Sequence, residues 1–127
     1  MNVVDSSAWL EYFAGGPNAA VFRSAIHATG ELIVPVICVY EVYKRMLTQI
    51  GEGGAQQALS AMLSGQVVDV DPDLAVTAAR ISADMRLPMA DSLILATARR
   101  FRATLWTQDA DFDGLPNVRY AAPSSRP

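Results

Sequence analysis

Four acidic side chains lie at or near junctions between predicted strands and helices. Asp5 follows "NVV", Glu41 lies in "VICVYEVYKRM", Asp91 lies in "MADSLILATARR", and Asp109 comes just after "ATLWT". Carboxylates brought close together repel one another, and burial adds a desolvation penalty, so they have to share protons or a cation. Oxygen-only ligands suit a hard cation such as Mg²⁺ or Mn²⁺. Such a site would support hydrolysis of a phosphate ester.

The elements that would position these acids alternate along the chain. Four or five short strands are predicted at 2–4, 31–35, 66–70, 103–107 and, as the fifth, 117–121. Stretches with helical spacing separate them, at 6–14, 18–28, 36–50, 55–65, 73–86 and 89–101. This alternation is typical of an α/β fold with a parallel sheet and helices on both faces. We place the short, apolar first strand in the middle of the sheet, so that all four acids lie at its carboxyl edge.

Length and composition predict one globular domain over 1–122, followed by a short Pro/Ser tail over 123–127. Of the 127 residues, 51% are hydrophobic and 18% are charged, which argues against disorder. No apolar run approaches the ~20 residues that span a bilayer, and no signal-peptide pattern is seen. The single cysteine, Cys38, cannot form an internal disulfide. We therefore expect a protein of the reducing cytoplasm, without a membrane partner.

Each acid also has an ordinary structural explanation. Asp5 could simply cap the following helix, and Glu41 could pair with Arg45 one helical turn later. Asp91 could be favoured by the helix dipole alone, and Asp109 could be a turn residue. Four acids meeting at one edge of a sheet are harder to explain in this way. Their convergence predicts a metal site.

Other kinds of site are excluded by the residues available. The lone His27 and lone Cys38 leave no zinc site. The segment "DVDPD" has the spacing that opens a calcium loop, but Leu74 replaces the required glycine and Arg80 the required glutamate. Neither zinc nor a calcium loop is expected.

Four blocks of the chain, in order and at matching spacing, resemble the PIN domains and specifically the VapC-type toxins of bacterial toxin–antitoxin pairs. They are "VVDSSAWLEYF", "VPVICVYEVYKRM", "MADSLILATARR" and "LWTQDADF", and the resemblance covers essentially the whole chain. It implies a PIN-like three-layer α/β/α sandwich around a short, mostly parallel sheet. It also implies a metal-dependent endoribonuclease whose catalytic acids are Asp5, Glu41, Asp91 and Asp109.

In that family resemblance, Mg²⁺ or alternatively Mn²⁺ would be held mainly by Asp5 and Asp91, with Glu41 and Asp109 as supporting acids. A water activated at the metal would attack the scissile phosphate of an RNA.

Further residues and partners follow from the same resemblance. Ser6 and Thr107 would help to orient the ligands, and Asp111 rather than Asp109 could supply the last one. The expected partners are an RNA substrate, a cognate VapB-type antitoxin and a second copy of the chain in a homodimer.

The net charge of −3 is an objection, since affinity for RNA comes largely from lysines and arginines. A local basic rim around the third acid would answer it, formed by Arg80, Arg86, Arg99, Arg100 and Arg102; the alternative is that Arg99 and Arg102 only complement a helix C-terminus. Two other functions stay open: a catalytically silent PIN module that binds a partner, and a nuclease acting on DNA.

Overall fold

The computed structural model describes residues 1–124. Five strands run along this part of the chain: β1 Asn2–Val4, β2 Leu32–Pro35, β3 Gln66–Val68, β4 Thr104–Thr107 and β5 Val118–Tyr120. The α-helices are α1 Ser6–Ala14, α2 Ala19–His27, α3 Val36–Gln49, α4 Glu52–Met62, α5 Pro72–Met85 and α6 Met89–Arg100. Two 3-10 turns, Thr29–Glu31 and Ala110–Phe112, were not predicted. Of the predicted tail, 125–127 lies outside the described residues.

The sheet is parallel throughout, with the strand order β3-β2-β1-β4-β5. The predicted α/β class, the parallel sheet and the central position of β1 are therefore confirmed. Strand order reverses beside β1, because β2 and β4 flank it on either side. In open parallel sheets the crevice at this reversal is where ligands bind.

The helices cover both faces of this sheet. Successive crossovers from β1 to β3 run in one direction and the crossover from β3 to β4 runs in the other. Because such crossovers are right-handed, α1 and α2 lie on one face and α5 and α6 on the other. Helix α6 packs against β1, β2 and β4, and α2 packs against β1. Fully buried side chains from several elements fill the core, among them Trp9, Phe22, Ile33, Leu105 and Phe112.

Helix α4 begins earlier than the sequence predicted. The Gly-rich segment was expected to be a turn, yet only Gly51 has a left-handed backbone, with φ 114°, and α4 starts at Glu52. A side chain at Gly54 would collide with the Ile50 side chain, so this glycine lets the first turn of α4 approach the end of α3. Within the described residues, no helix has the length and apolar character needed to cross a membrane.

Candidate metal centre

Asp5 links the end of β1 to the start of α1. Its backbone N–H donates to the Trp106 carbonyl at 3.0 Å, and its Oδ1 accepts hydrogen bonds from the Ala8 N–H at 2.9 Å and the Ser7 hydroxyl at 2.7 Å. Oδ2 accepts from the Thr107 hydroxyl at 2.6 Å. Asp5 is thus the N-cap of α1, as the ordinary explanation required. Oδ2, with this one hydrogen bond, still has a lone pair for another ligand.

Thr107 joins this carboxylate to the next acid along the sheet edge. Its hydroxyl is fully buried, donates to Asp5 and accepts the Asp109 N–H at 2.9 Å. Asp109 in turn caps the 3-10 turn Ala110–Phe112, where its Oδ1 accepts the Asp111 N–H at 2.9 Å. A continuous set of hydrogen bonds therefore holds the ends of β1 and β4 in register. The structure places Thr107 beside two predicted site acids.

Asp91 comes to the same edge from the first turn of α6. One carboxylate oxygen from each of Asp91, Asp109 and Asp111 lies within 4.8 Å of the other two. Partial burial raises the pKa of Asp91 to about 7, and the charges of Asp109, Asp5, Asp111 and Glu41 add to this effect in that order. Both candidates for the last ligand, Asp109 and Asp111, therefore belong to one cluster with Asp91.

Asp5 also has a raised pKa, and its side chain is more deeply buried than that of Asp91. It is 2% exposed, and burial raises its pKa to about 6 although the hydrogen bonds from Thr107, Ala8 and Ser7 lower it. The nearby charge of Asp109 raises this pKa further. These carboxylates cannot all be ionised at neutral pH without cost. A cation held between them would remove that cost.

Glu41 reaches the site from the second turn of α3. The Ser6 hydroxyl donates to Glu41 Oε1 at 2.6 Å, so this serine orients an acid from another helix. The alternative pairing of Glu41 with Arg45 does not occur: among residues 1–124 no ion pair joins them, and the ion pair that is present connects Arg100 to Asp71.

Two features of the site differ from the sequence expectations. The Ser7 hydroxyl bridges Asp5 and the Gln108 N–H, at 2.7 and 3.2 Å, a role that we had not assigned. Its signal was present, since the second residue after an N-cap acid can reach back to it. The predicted basic rim is wrong for the arginines at the end of α6, Arg99, Arg100 and Arg102. They lie at the opposite edge of the sheet, because β4 begins there at Thr104.

Two other cations, Lys44 and Arg45 on α3, lie beside Ser6 and Glu41. A cavity of about 400 Å³ beside Ser6 and Glu41 is also lined by Lys44 and Arg45. An adjoining cavity of about 360 Å³ extends from Ser7 and Gln108 and again includes Arg45. The side of the site formed by Ser6, Ser7 and Glu41 thus borders a groove between α1 and α3 that carries positive charge.

The family model for the PIN domain matches residues 3–118. The chain belongs to the PIN-domain family. Comparison with curated protein sequences gave no significant match.

Several solved structures share this fold. One is a toxin–antitoxin complex from Klebsiella pneumoniae, with 23% identity, a TM-score of 0.77, and 94% of this chain and 96% of that chain covered. Another is VapC20 from Mycobacterium tuberculosis, titled a Sarcin-Ricin loop cleaving toxin, with 19% identity, a TM-score of 0.76 and coverage of 94% and 99%. A third is DNA-bound VapBC from Salmonella typhimurium, with 14% identity, a TM-score of 0.71 and coverage of 95% and 96%. At these identities the likeness shows the shared fold.

Proposed function

We propose that this PIN domain is a metal-dependent endoribonuclease and the toxin of a VapC-type toxin–antitoxin pair. The observation that carries the proposal is the convergence of carboxylates at the β1/β4 edge, two of which have pKa values raised to about 6 and about 7. The fold does not require this arrangement, because clustered carboxylates without a neutralising cation destabilise the folded protein. A divalent cation and a phosphodiester substrate explain why it is kept.

The donor atoms fit Mg²⁺ or Mn²⁺. Asp91, Asp109 and Asp111 offer carboxylate oxygens within 4.8 Å of one another. Asp5 is outside this group of three, but its charge acts on Asp91 and its Oδ2 retains a free lone pair. All of these donors are oxygens, which hard divalent cations prefer. Asp5 and Asp91 remain the proposed principal ligands, and Asp109 and Asp111 both support them. When bound, such a cation polarises a phosphoryl oxygen and lowers the pKa of a coordinated water.

The remaining residues orient the acids and move protons. Ser7 and Thr107 fix both oxygens of Asp5, which leaves its carboxylate little freedom to rotate. Ser6 holds Glu41 Oε1, so that Oε2 is the atom available to take a proton from a water in the adjoining cavity. We assign to Glu41 the role of general base and to Ser6 that of positioning it.

The proposed substrate and partners come from the family resemblance and from what similar structures are called. VapC20 is described as a Sarcin-Ricin loop cleaving toxin, and the other two structures are a toxin–antitoxin complex and a DNA-bound VapBC. By analogy, we propose RNA as the substrate, a VapB-type antitoxin as the partner, a homodimer as the assembly and the cytoplasm as the location.

The test compares purified wild type with Asp91→Asn on a mixed cellular RNA pool, in Mg²⁺, Mn²⁺ or chelator. Asp113→Asn is the matched control, because Asp113 is an exposed acid just beyond the same turn and outside the three-carboxylate cluster. We expect metal-dependent cleavage by wild type and by the control, and a loss of about 100-fold or more in Asp91→Asn.

Other outcomes would contradict the proposal in distinct ways. Equal cleavage by wild type and Asp91→Asn would indicate a contaminating nuclease. Cleavage of single-stranded DNA but not of RNA would favour the DNA nuclease. If calorimetry shows no binding of Mg²⁺ or Mn²⁺ and no nucleic acid is cut, the chain is a silent partner-binding module.

A further inference from the structure

The groove between α1 and α3 carries features that the carboxylate cluster alone does not require. Its two cavities share Leu10 and Arg45 in their walls, so they lie side by side. One begins at Ser6 and Glu41, and the other at Ser7 and Gln108, which is directly beside Asp109. Glu41, one of the predicted site acids, therefore lies in the wall of this groove.

The cations of this groove are not paired with carboxylates. Lys44 and Arg45 are both exposed, and no ion pair or hydrogen bond within residues 1–124 engages the end of either side chain with a carboxylate. They follow Glu41 by three and four residues on α3, so both face the same side of the helix as that acid. Arg45 lies about 6 Å along the helix axis from Glu41. That rise is comparable to the separation of neighbouring phosphates in an extended single strand.

An aromatic ring lies beside these cations. Tyr40 is 60% exposed, lines the cavity with Lys44 and Arg45, and has Lys44 Nζ 5.8 Å from its ring centroid. The exposed face of the Tyr40 ring is a surface on which a base can stack. Positive charge that follows a backbone, together with an aromatic platform, is the combination by which proteins hold single-stranded nucleic acid.

We infer that Lys44, Arg45 and Tyr40 form the binding track for the strand adjoining the scissile phosphate. This rests on the proposed function and names the residues by which the same site holds its substrate. Lys44 and Arg45 bind phosphates next to the cleavage point, and Tyr40 stacks on a neighbouring base. The occupant is a single-stranded nucleic acid, which the proposed activity makes RNA.

The binding track also explains how a protein with a net negative charge can bind RNA. A net charge of −3 leaves the protein as a whole unattractive to RNA, and the arginines at the end of α6 lie at the far edge of the sheet. Lys44 and Arg45 have no carboxylate partner within the described residues and lie beside Glu41, so they supply local attraction for the phosphates of the strand. The groove also contains Glu11, whose Oε2 accepts the Asn18 N–H at 2.7 Å and is partly compensated by it.

The experiment measures binding separately from cleavage. A fluorescein-labelled 12-nucleotide single-stranded RNA of mixed sequence is titrated with protein in Ca²⁺ at several salt concentrations, and a gel confirms that it stays intact. The variants are Lys44→Ala, Arg45→Ala, the double variant, Tyr40→Ala and Tyr40→Phe. Arg99→Ala is the matched control, because Arg99 is an exposed cation at the opposite edge of the sheet.

Each lost phosphate contact lowers the steepness of log affinity against log salt by about 0.7 for a single strand. We therefore expect a decrease of about 0.7 for each single cation variant, about 1.4 for the double variant, and none for Arg99→Ala. Tyr40→Ala is expected to weaken binding by about 5- to 150-fold, while Tyr40→Phe keeps the stacking face and binds like wild type. Circular dichroism confirms that each variant is folded.

The outcomes separate the track from the proposed activity. If wild type cuts RNA and the double variant keeps its salt dependence, the track is wrong and the nuclease stands. An Arg99→Ala loss equal to that of Arg45→Ala overturns the track as well, since the effect would be one of total charge. If wild type neither binds nor cuts RNA, the proposed function fails and the track fails with it. Equal binding of single-stranded DNA would retain the track while leaving the choice of RNA to the catalytic site.

Discussion

The crowded carboxylates make an unusual prediction about stability. Replacing Asp91 by Asn should stabilise the metal-free protein at pH 8, although most substitutions at a half-buried polar position destabilise. The reason is that the pKa of Asp91 is raised to about 7 by burial and by four neighbouring acids. Above that pH the side chain is charged in the folded protein and is surrounded by like charge. Asn has a similar shape and no charge.

The magnitude follows from the pKa. A rise from 3.8 to about 7 corresponds to about 4 kcal/mol at full strength. Because Asp91 is only partly buried, solvent screening reduces this to about 2 kcal/mol. The folded-state pKa lies above the unfolded one, so the contribution is present below about pH 4 and is lost as the pH rises to about 7. Metal-free wild type should therefore lose stability across this window, while Asp91→Asn should lose about 2 kcal/mol less and keep the loss that the raised pKa of Asp5 causes.

The assay is urea unfolding of both proteins in chelator between pH 4 and 8, repeated at pH 8 with Mg²⁺. At a metal concentration 100 times its Kd, wild type should gain about 2.7 kcal/mol, and Asp91→Asn should gain little. The order of stability at pH 8 would then reverse on adding metal. If Asp91→Asn is the less stable protein in chelator at pH 8, the carboxylates are not in repulsive contact and the argument for a shared cation fails.

Three other predictions concern the residues around the cluster. Asp5→Asn keeps an oxygen that can accept the Ala8 N–H, so Asp5→Ala should be less stable than Asp5→Asn by about 1 kcal/mol in urea unfolding; equal stabilities would contradict the capping role. Thr107→Val should cost about 1–3 kcal/mol, because it leaves the partly buried Asp109 N–H without its acceptor, whereas Thr107→Ser should lose much less. Burial raises the pKa of Cys38, so Ellman's reagent should modify it only after denaturation, and rapid reaction of the native protein would refute this.

The fold could be predicted because its signals are local. Short apolar runs and helical spacing are visible within a dozen residues, and every predicted strand lies within two residues of an observed one. The position of β1 in the sheet also followed from its composition, since a strand buried on both faces has to be apolar. The start of α4 could not be predicted, because Gly54 is explained only by its approach to Ile50.

The side-chain partners of the site could be predicted only in part, because they are distant in sequence. Thr107 is 102 residues from Asp5, and Ser6 is 35 residues from Glu41. The acids can be identified from the sequence because it shows which residues lie at the carboxyl edge of the sheet. Which hydroxyl binds which acid is visible only in the folded structure. The prediction that the arginines at the end of α6 form a basic rim beside Asp91 is wrong for the same reason. They are close to Asp91 in sequence, but the length of α6 separates them from it and places them at the other edge of the sheet.

Asp5 shows why the capping and metal-binding explanations need not compete. A helix cap uses Oδ1, which the Ala8 N–H and the Ser7 hydroxyl occupy, and leaves Oδ2 with the single hydrogen bond from Thr107. The cap fixes the carboxylate so that its remaining lone pair faces a defined direction. Its buried position raises the pKa to about 6, and the hydrogen bonds alone do not offset this. The folded chain therefore holds an acid rigidly in a place where its ionisation above about pH 6 lowers stability, and that combination is expected of a metal ligand and is unnecessary for a cap.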